Sequence, residues 1–172
     1  MNYFNQESER IQFRKLTMND IDSWSEFFHN NDRLEFLGIP DINKDKKEIA
    51  TEWISMQLEK YEKHGLGHLA LIEKSSNEFL GMAGIHPRVI SEKEVFEIAY
   101  SLKPKYWGKG FASEASQQLK KFGLETKISD SFVSIIHKEN SDSIKVAQRN
   151  EMEIITELNY LGMEVFIFGN KK

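Results

Sequence analysis

Glycines 108 and 110 form the pattern in this chain with the most obvious chemical use. The segment Tyr106–Ala115 reads YWGKGFASEA and joins a strand predicted to end at Leu102 to a helix predicted to begin at Phe111. The first turn of a helix has free backbone N–H groups and the positive end of the helix dipole, and glycine lets a backbone approach an anion closely. The segment therefore predicts a cradle for a diphosphate, although a Gly-x-Gly alone is more often a plain tight turn.

Two familiar phosphate motifs are excluded here. A P-loop needs four residues between its glycines and a Gly-Lys-Ser/Thr ending, and this segment has neither. A dinucleotide fingerprint needs a third small residue, Gly or Ala, three positions after the second glycine, where this chain has Ser113. A nucleotide-binding domain is therefore a weaker alternative, which predicts affinity for ATP or NAD.

Glu97, Asn140 and Ser143 are the other polar residues whose positions suggest chemistry. Glu97 lies on the predicted strand Val95–Leu102, where desolvation can raise a carboxyl pKa enough for base catalysis near neutral pH. An ordinary charge on an exposed strand face is an equally good interpretation. Asn140 suits a plain helix N-cap, and Ser143 would then lie in the first turn.

The histidines give no comparable signal. His64 and His68 are four residues apart, but Gly65 and Gly67 break the helix that a metal site would need, and no HExxH motif is present. We therefore interpret both as loop residues and predict no metal site. His137 follows a predicted strand, where a capping or solvent role is favoured. No Gly-x-Ser-x-Gly elbow for serine hydrolysis is present.

Several segments in order resemble the GNAT acyltransferase superfamily. Lys105–Ala112 resembles its acetyl-CoA loop, and the longer variant through Ala115 resembles the branch that acetylates ribosomal-protein N-termini. The resemblance covers roughly Arg10 to Phe168. The other similar segments are Gly65–Gly84 (central hairpin), Glu97–Tyr100 (fourth strand) and Asn140–Ala147 (Asn-x-x-Ser motif).

The resemblance implies an acetyl-CoA-dependent N-acetyltransferase. It implies an α/β (α+β) fold with a mixed, mostly antiparallel seven-stranded sheet, splayed fourth and fifth strands, and about four flanking helices. Acetyl would pass directly to a primary amine, with Glu97 as the base and Ser143 donating to the leaving thiolate. The residues expected to bind acetyl-CoA are Ser101, Leu102, Trp107, Gly108, Lys109, Gly110, Phe111, Ala112, Ser113 and Asn140.

Three positions depart from the family pattern. Lys105 stands where Gln or Arg is usual, although Lys also meets phosphate as a point charge. Glu151 replaces a glycine after the last helix, and the tyrosine that many members use as a general acid is absent near Ala147. A catalytically silent acyl-CoA-binding or regulatory module is therefore the main alternative.

The acceptor is expected to be either a protein N-terminus or a small-molecule amine. The first two helices of this fold often line the acceptor pocket. Aromatic residues at helical spacing are more often core residues, so a core position is the favoured interpretation. The aromatic residues concerned are Trp24, Phe27, Phe28, Phe36 and Trp53.

Composition bounds the remaining possibilities. The 172 residues suffice for one core, so we expect a single domain spanning 1–172. A net charge of −4 argues against nucleic acid as a partner, and the absence of an 18-residue apolar run argues against a membrane partner. The absence of cysteine excludes a thioester intermediate on the enzyme and suits the cytoplasm. Either a monomer or a homodimer is compatible with the sequence.

Periodicity and turn residues predict seven strands and four helices. A loop is expected at Gly38, Pro40 and Asn43. The predicted strands are Ile11–Leu16, His68–Glu73, Phe79–His86 (closed by Pro87), Val95–Leu102, Phe132–Ile136, Ile154–Tyr160 and Met163–Phe168. The predicted helices are Ile21–His29, Asp45–His64, Phe111–Glu125 and Asn140–Asn150.

Overall fold

The computed structural model describes residues 2–39 and 44–170. Its strands are β1 (Asn5–Glu7), β2 (Ile11–Arg14), β3 (Gly67–Glu73), β4 (Phe79–Ile90), β5 (Lys93–Leu102), β6 (Val133–His137), β7 (Met152–Tyr160) and β8 (Met163–Asn170). Its α-helices are α1 (Ile21–Ser25), α2 (Lys46–His64), α3 (Phe111–Glu125) and α4 (Ser141–Arg149). Short 3-10 turns lie at Met18–Asp20, Glu26–Phe28, Leu34–Leu37 and Pro104–Tyr106.

The strands form one sheet in the order β1-β2-β3-β4-β5-β6-β8-β7. Neighbouring strands are antiparallel except β5 and β6, which run parallel. The predicted mixed, mostly antiparallel sheet with four flanking helices is confirmed. The described residues contain one strand more than predicted, because β1 is only three residues long and too short for alternation to reveal.

The predicted helices are present with small differences at their ends. Asp45 caps α2, since its side chain accepts hydrogen bonds from the N–H groups of Lys47 and Glu48. The first predicted helix divides into α1 and the 3-10 turn Glu26–Phe28. Of the predicted loop, Gly38 takes a left-handed conformation at a 3-10 C-cap, whereas Pro40 and Asn43 lie outside the described residues. No helix in the described ranges is long and apolar enough to cross a membrane.

The prediction that Pro87 closes a strand is wrong. β4 continues through Pro87 to Ile90, and Pro87 lies opposite Phe96 of β5. The pairing of β3 with β4 ends at Gly67 opposite Ile85, so Pro87 lies on a part of β4 that β3 does not reach. A proline is tolerated there because its missing N–H would have had no partner strand.

Helices cover both faces of the sheet. On one face α1 and α2 bury a cluster of Trp24, Phe27, Phe28, Ile54 and Met82. On the other face α3 buries Phe111, Ala115, Leu119 and Phe122 against strand residues such as Phe13 and Ile98. The spacing of the α3 residues is that of one apolar stripe on a helix, which fixes the N-terminus of α3 at the sheet.

Gly84 allows β3 and β4 to approach each other closely. A Cβ atom on Gly84 would overlap the carbonyl oxygen of Gly67 and lie 2.7 Å from the Cα of His68. Both obstacles belong to the backbone, so a side-chain movement cannot relieve them.

We therefore expect Gly84→Ala to lower the free energy of unfolding by about 3 kcal/mol, in the range of overpacking in a core. The melting temperature should fall by about 10 °C for a chain of this size. Gly65→Ala is the control, since nothing lies within 4 Å of its Cβ and only its left-handed φ of 65° is strained, at about 1 kcal/mol. Equal losses in the two variants would contradict the close-approach argument.

Candidate active site

β5 and β6 part from each other beyond a single paired position, Glu97 opposite Val133. The Ser134 hydroxyl still donates to the carbonyl of Ile98 at 3.1 Å, and two cavities open beyond that point. One, the glycine-loop cleft, is bounded by the segment from Gly108 to Ser113; the other, the Glu97 cavity, contains that carboxylate. The residues that line both cavities are Leu37, Tyr100, Ser101, Asn140 and Ser143.

The glycine-loop cleft ends at the N-terminus of α3. Gly108 and Gly110 have φ of 72° and 84°, which favours glycine at both positions. Gly110 provides no capping side chain, and the first backbone bond of the helix runs from the N–H of Glu114 to its carbonyl, at 3.1 Å. The N–H groups of residues 111–113 donate to no described residue, and the hydroxyl of Ser113 is buried without a described partner. These unsatisfied donors fit an anionic group with several acceptor oxygens, such as a diphosphate.

Basic side chains add to this preference for anions. Among the residues that the structure describes, the charged side chains lining the glycine-loop cleft are Arg33, Lys145 and Arg149, against a single acid, Asp142. Arg33 lies over the Trp107 ring at 3.8 Å and pairs with Asp142 at 2.6 Å, so it spans the mouth of the cleft. Sequence reasoning missed these residues, because basic residues on a short polar helix or in a loop are typical of any surface.

Nine of the ten residues predicted to bind the cofactor line this cleft, and Lys109 does not. The carbonyl of Lys109 accepts from Arg10 at 3.1 Å, and its ammonium lies 5.4 Å from the Tyr106 ring centre. The carbonyl of Leu102 already accepts from the indole N–H of Trp107 at 2.7 Å.

Tyr100 presents its backbone to the open edge of β5. The carbonyls of Ile98 and Leu102 both accept bonds on the side away from β4. Backbone groups of alternate residues in a strand point to the same side, so the N–H and C=O of Tyr100 face the gap between β5 and β6. Tyr100 is thus the residue of β5 best placed to pair with an extended ligand, whereas the residues of β5 predicted to bind the cofactor were Ser101 and Leu102.

Asn140 and Ser143 lie where the two cavities meet. The side-chain oxygen of Asn140 accepts from the N–H of Ser143 at 3.1 Å, so Asn140 is the N-cap of α4 while it also lines both cavities. Burial raises the pKa of Tyr100 to about 12, and the nearby side chain of Ser143 lowers it by less. This phenol is protonated at neutral pH. The family pattern has its tyrosine near Ala147, so a role for Tyr100 was not predicted.

The Glu97 side chain is buried, so the exposed-face interpretation is wrong. The residue is 7% exposed, and its Oε2 accepts from Nε of Arg88 at 2.7 Å. Among the aromatic residues, Trp24, Phe27 and Phe28 are core residues, and Phe27 also lines the glycine-loop cleft. Phe36 and Trp53 line the Glu97 cavity, and Trp53 also packs against the core.

The loop interpretation of His68 is wrong, whereas the predicted strand His68–Glu73, which begins with this residue, is present as β3. His68 lies opposite Gly84 of β4 and lines the Glu97 cavity. Its ring centre is 4.4 Å from that of His86, which lies opposite Glu97. Burial lowers the pKa of His68 to about 3 and that of His86 well below its usual value, so both rings are neutral at neutral pH. No group of three or more His, Asp or Glu side chains suited to a metal was found among the described residues.

Comparison with known proteins identifies the family of this chain. A family model described as an acetyltransferase (GNAT) domain matches residues 10–153. The chain belongs to the GNAT acetyltransferase family. A Bacillus licheniformis protein named uncharacterized N-acetyltransferase p20 is 27% identical over 139 residues, which are 81% of this chain and 76% of that protein.

Solved structures share the GNAT fold over almost the whole chain. An acetyltransferase from Agrobacterium tumefaciens strain C58 has a TM-score of 0.80 at 21% identity, covering 98% of this chain and 94% of that one. The ribosomal L7/L12 alpha-N-protein acetyltransferase RimL, in complex with coenzyme A, has a TM-score of 0.74 at 15% identity, covering 95% and 94%. At these identities the likeness concerns the fold.

If the glycine loop of this GNAT protein holds a diphosphate, Gly110→Glu should weaken CoA binding by about tenfold or more, equivalent to about 1.4 kcal/mol. The new carboxylate would place a negative charge beside the phosphates and strain the left-handed backbone. Gly162→Glu is the matched control, because Gly162 is also exposed and has φ of 85°. Calorimetric titration with CoA measures the difference. Equal CoA affinities in the two variants would show that the glycine loop is not part of the CoA-binding site.

Proposed function

We propose that this GNAT acetyltransferase moves an acetyl group from acetyl-CoA directly onto a primary amine. The observation that carries the proposal is the meeting of two cavities at Tyr100 and Ser143. One cavity offers unsatisfied donors and basic side chains, and the other offers a buried carboxylate. A thioester entering from the first and an amine entering from the second would meet where β5 and β6 part.

The residues of the glycine-loop cleft account for binding of the donor. The free N–H groups of residues 111–113 and the hydroxyl of Ser113 would receive the diphosphate, supported by Lys145 and Arg149. The backbone groups of Tyr100 would pair with the pantetheine as a strand partner does. The thioester carbonyl oxygen becomes negative in the transition state. The backbone N–H groups of β5 that face the gap are suited to stabilise it.

Glu97 supplies the base in this proposal. The nitrogen of a neutral amine attacks the thioester carbonyl, the C–N bond forms, and the C–S bond breaks. The amine proton passes to Glu97, directly or through a water, and the thiolate of CoA leaves. Oε2 of Glu97 is held by Arg88, while Oε1 makes no hydrogen bond to a described residue and is available to the amine.

Ser143 and Tyr100 act on the leaving thiolate. A phenol whose burial raises its pKa to about 12 is too weak an acid to protonate a thiolate of ordinary pKa. Tyr100 is therefore a positioning residue: its O–H donates to the oxygen of Ser143, and the O–H of Ser143 donates to the sulfur. This pair takes the place of the family tyrosine that is absent near Ala147.

Replacing the base should stop turnover without removing the donor. We expect Glu97→Gln to lower kcat by about 100-fold or more, the range of general base catalysis, with CoA affinity unchanged. Glutamine keeps an oxygen for Arg88, and Glu94→Gln is the control because Glu94 is an exposed acid on the same strand. Thiol release from acetyl-CoA with a panel of amines and N-terminal peptides measures the effect. CoA binding by a wild-type protein that acetylates no amine would instead support the silent acyl-CoA-binding module.

The Tyr100–Ser143 pair predicts a non-additive double-mutant cycle. Tyr100→Phe and Ser143→Ala should each lower kcat by about tenfold, the scale of one hydrogen bond to a developing charge, with little change in KM for acetyl-CoA. The double variant should be no slower than Ser143→Ala, since Tyr100 acts only through Ser143. Additive losses would show that Tyr100 has a separate, structural role.

A further inference from the structure

An ion pair lines the Glu97 cavity. Arg88 and Glu97 meet there at 2.7 Å, and the described residues that line the cavity include no other Asp or Glu. The carboxylate of Glu97 is therefore already paired, and the described cavity wall presents no unpaired acid that would repel an anion.

The guanidinium of Arg88 has unused donors in this cavity. Its Nε donates to Glu97, whereas its two terminal nitrogens donate to no described residue. The side chain is 32% exposed, so its free edge can be reached from the cavity. A guanidinium edge with two parallel N–H groups matches the two oxygens of a carboxylate.

His68 adds a further donor that lacks a partner. Both of its ring nitrogens and Nε2 of His86 are buried without a hydrogen-bond partner among residues 2–39 and 44–170. A neutral imidazole has one N–H to donate, and a buried polar group without a partner is costly. His68 lines the cavity, so an acceptor oxygen on a bound ligand would satisfy it.

Apolar and aromatic side chains form a large part of the remaining cavity wall. They include Phe36, Trp53, Tyr160 and Met163, and the cavity has a volume of about 260 Å³. A space of this size with such a wall suits one medium-sized apolar or aromatic side chain.

We infer that the acceptor is a free amino acid with an apolar side chain, whose carboxylate binds Arg88 and His68 and whose amine faces Glu97. This inference rests on the proposed function and names the substrate class of the same site. Arg88 is then a specificity-determining residue. The free edge of Arg88 would then hold the acceptor carboxylate while its Nε stays on Oε2 of Glu97.

Acceptors of other charge fit less well. A polyamine would bring only positive charge to a cavity in which Glu97, the one carboxylate of the described wall, is already paired. The amine of a peptide N-terminus has an amide where a free amino acid has its carboxylate, and would leave the free edge of Arg88 without an anion.

The test compares each acid with its own amide. Acetylation of L-leucine, L-methionine and L-phenylalanine is measured against that of the three amino-acid amides, which keep the side chain and the amine. We expect kcat/KM to be at least about 100-fold higher for the acids, the scale of a truncated buried charge pair. Arg88→Met should bring the acid-to-amide ratio to about 1, and Arg88→Lys should keep part of the preference. A ratio is insensitive to partial unfolding, which lowers both rates equally.

The outcomes separate this inference from the proposed function. Acetylation of amides, peptides or polyamines as well as or better than acids would overturn the amino-acid acceptor and leave the acetyltransferase function standing. A wild-type preference that survives in Arg88→Met would also overturn it. If no amine is acetylated, the proposed function fails. Calorimetry of the CoA-bound protein with L-phenylalanine and its amide then decides whether Arg88 binds a carboxylate: equal affinities would overturn the inference, and tighter binding of the acid, lost in Arg88→Met, would support it.

Discussion

β5 and β6 pair in parallel at one position, Glu97 opposite Val133. This position joins the sheet half β1–β5 to the half formed by β6, β8 and β7. Strands that pair over their full length leave no backbone groups for a ligand, whereas strands that part after one position leave a row of them. β5 is anchored on its other side by ten paired positions with β4, so it can end its pairing with β6 early without losing its place. The two cavities, the open backbone of Tyr100 and the approach of α4 all depend on this parting.

Each side of the gap meets a different physical demand. On the α3 side, the left-handed glycines at 108 and 110 let a helix begin without a side-chain cap, so its free N–H groups face the cleft. On the other side, a carboxylate is buried in the sheet and needs a partner, which Arg88 provides across the β4–β5 hairpin. The first arrangement suits a bound anion, and the second holds a carboxylate in a fixed position.

The sequence pattern predicted the bounds of α3, Phe111 to Glu125. The spacing of its apolar residues also predicted which face of the helix packs on the sheet. The glycine-loop cleft followed from the same segment, because a loop and the helix after it are neighbours in sequence. What sequence reasoning missed depends on contacts between strands. The turn at Ser91 and Glu92, both with positive φ, sets the hairpin register, but it lacks the Asn-Gly or Asp-Gly that marks such turns. Without that register, neither the Arg88–Glu97 pair nor the position of His86 opposite Glu97 could be derived.

The Arg88–Glu97 pair also determines which ligand groups this cavity can hold. Oε2 of Glu97 is occupied by Nε of Arg88, so the carboxylate has only Oε1 to offer, whereas Arg88 keeps its two terminal nitrogens. The ring nitrogens of His68 are buried without a partner among the described residues. Arg88, Glu97 and His68 together thus have more free donors than free acceptors. A ligand that brings acceptor oxygens as well as an amine therefore satisfies more of these groups than an amine alone.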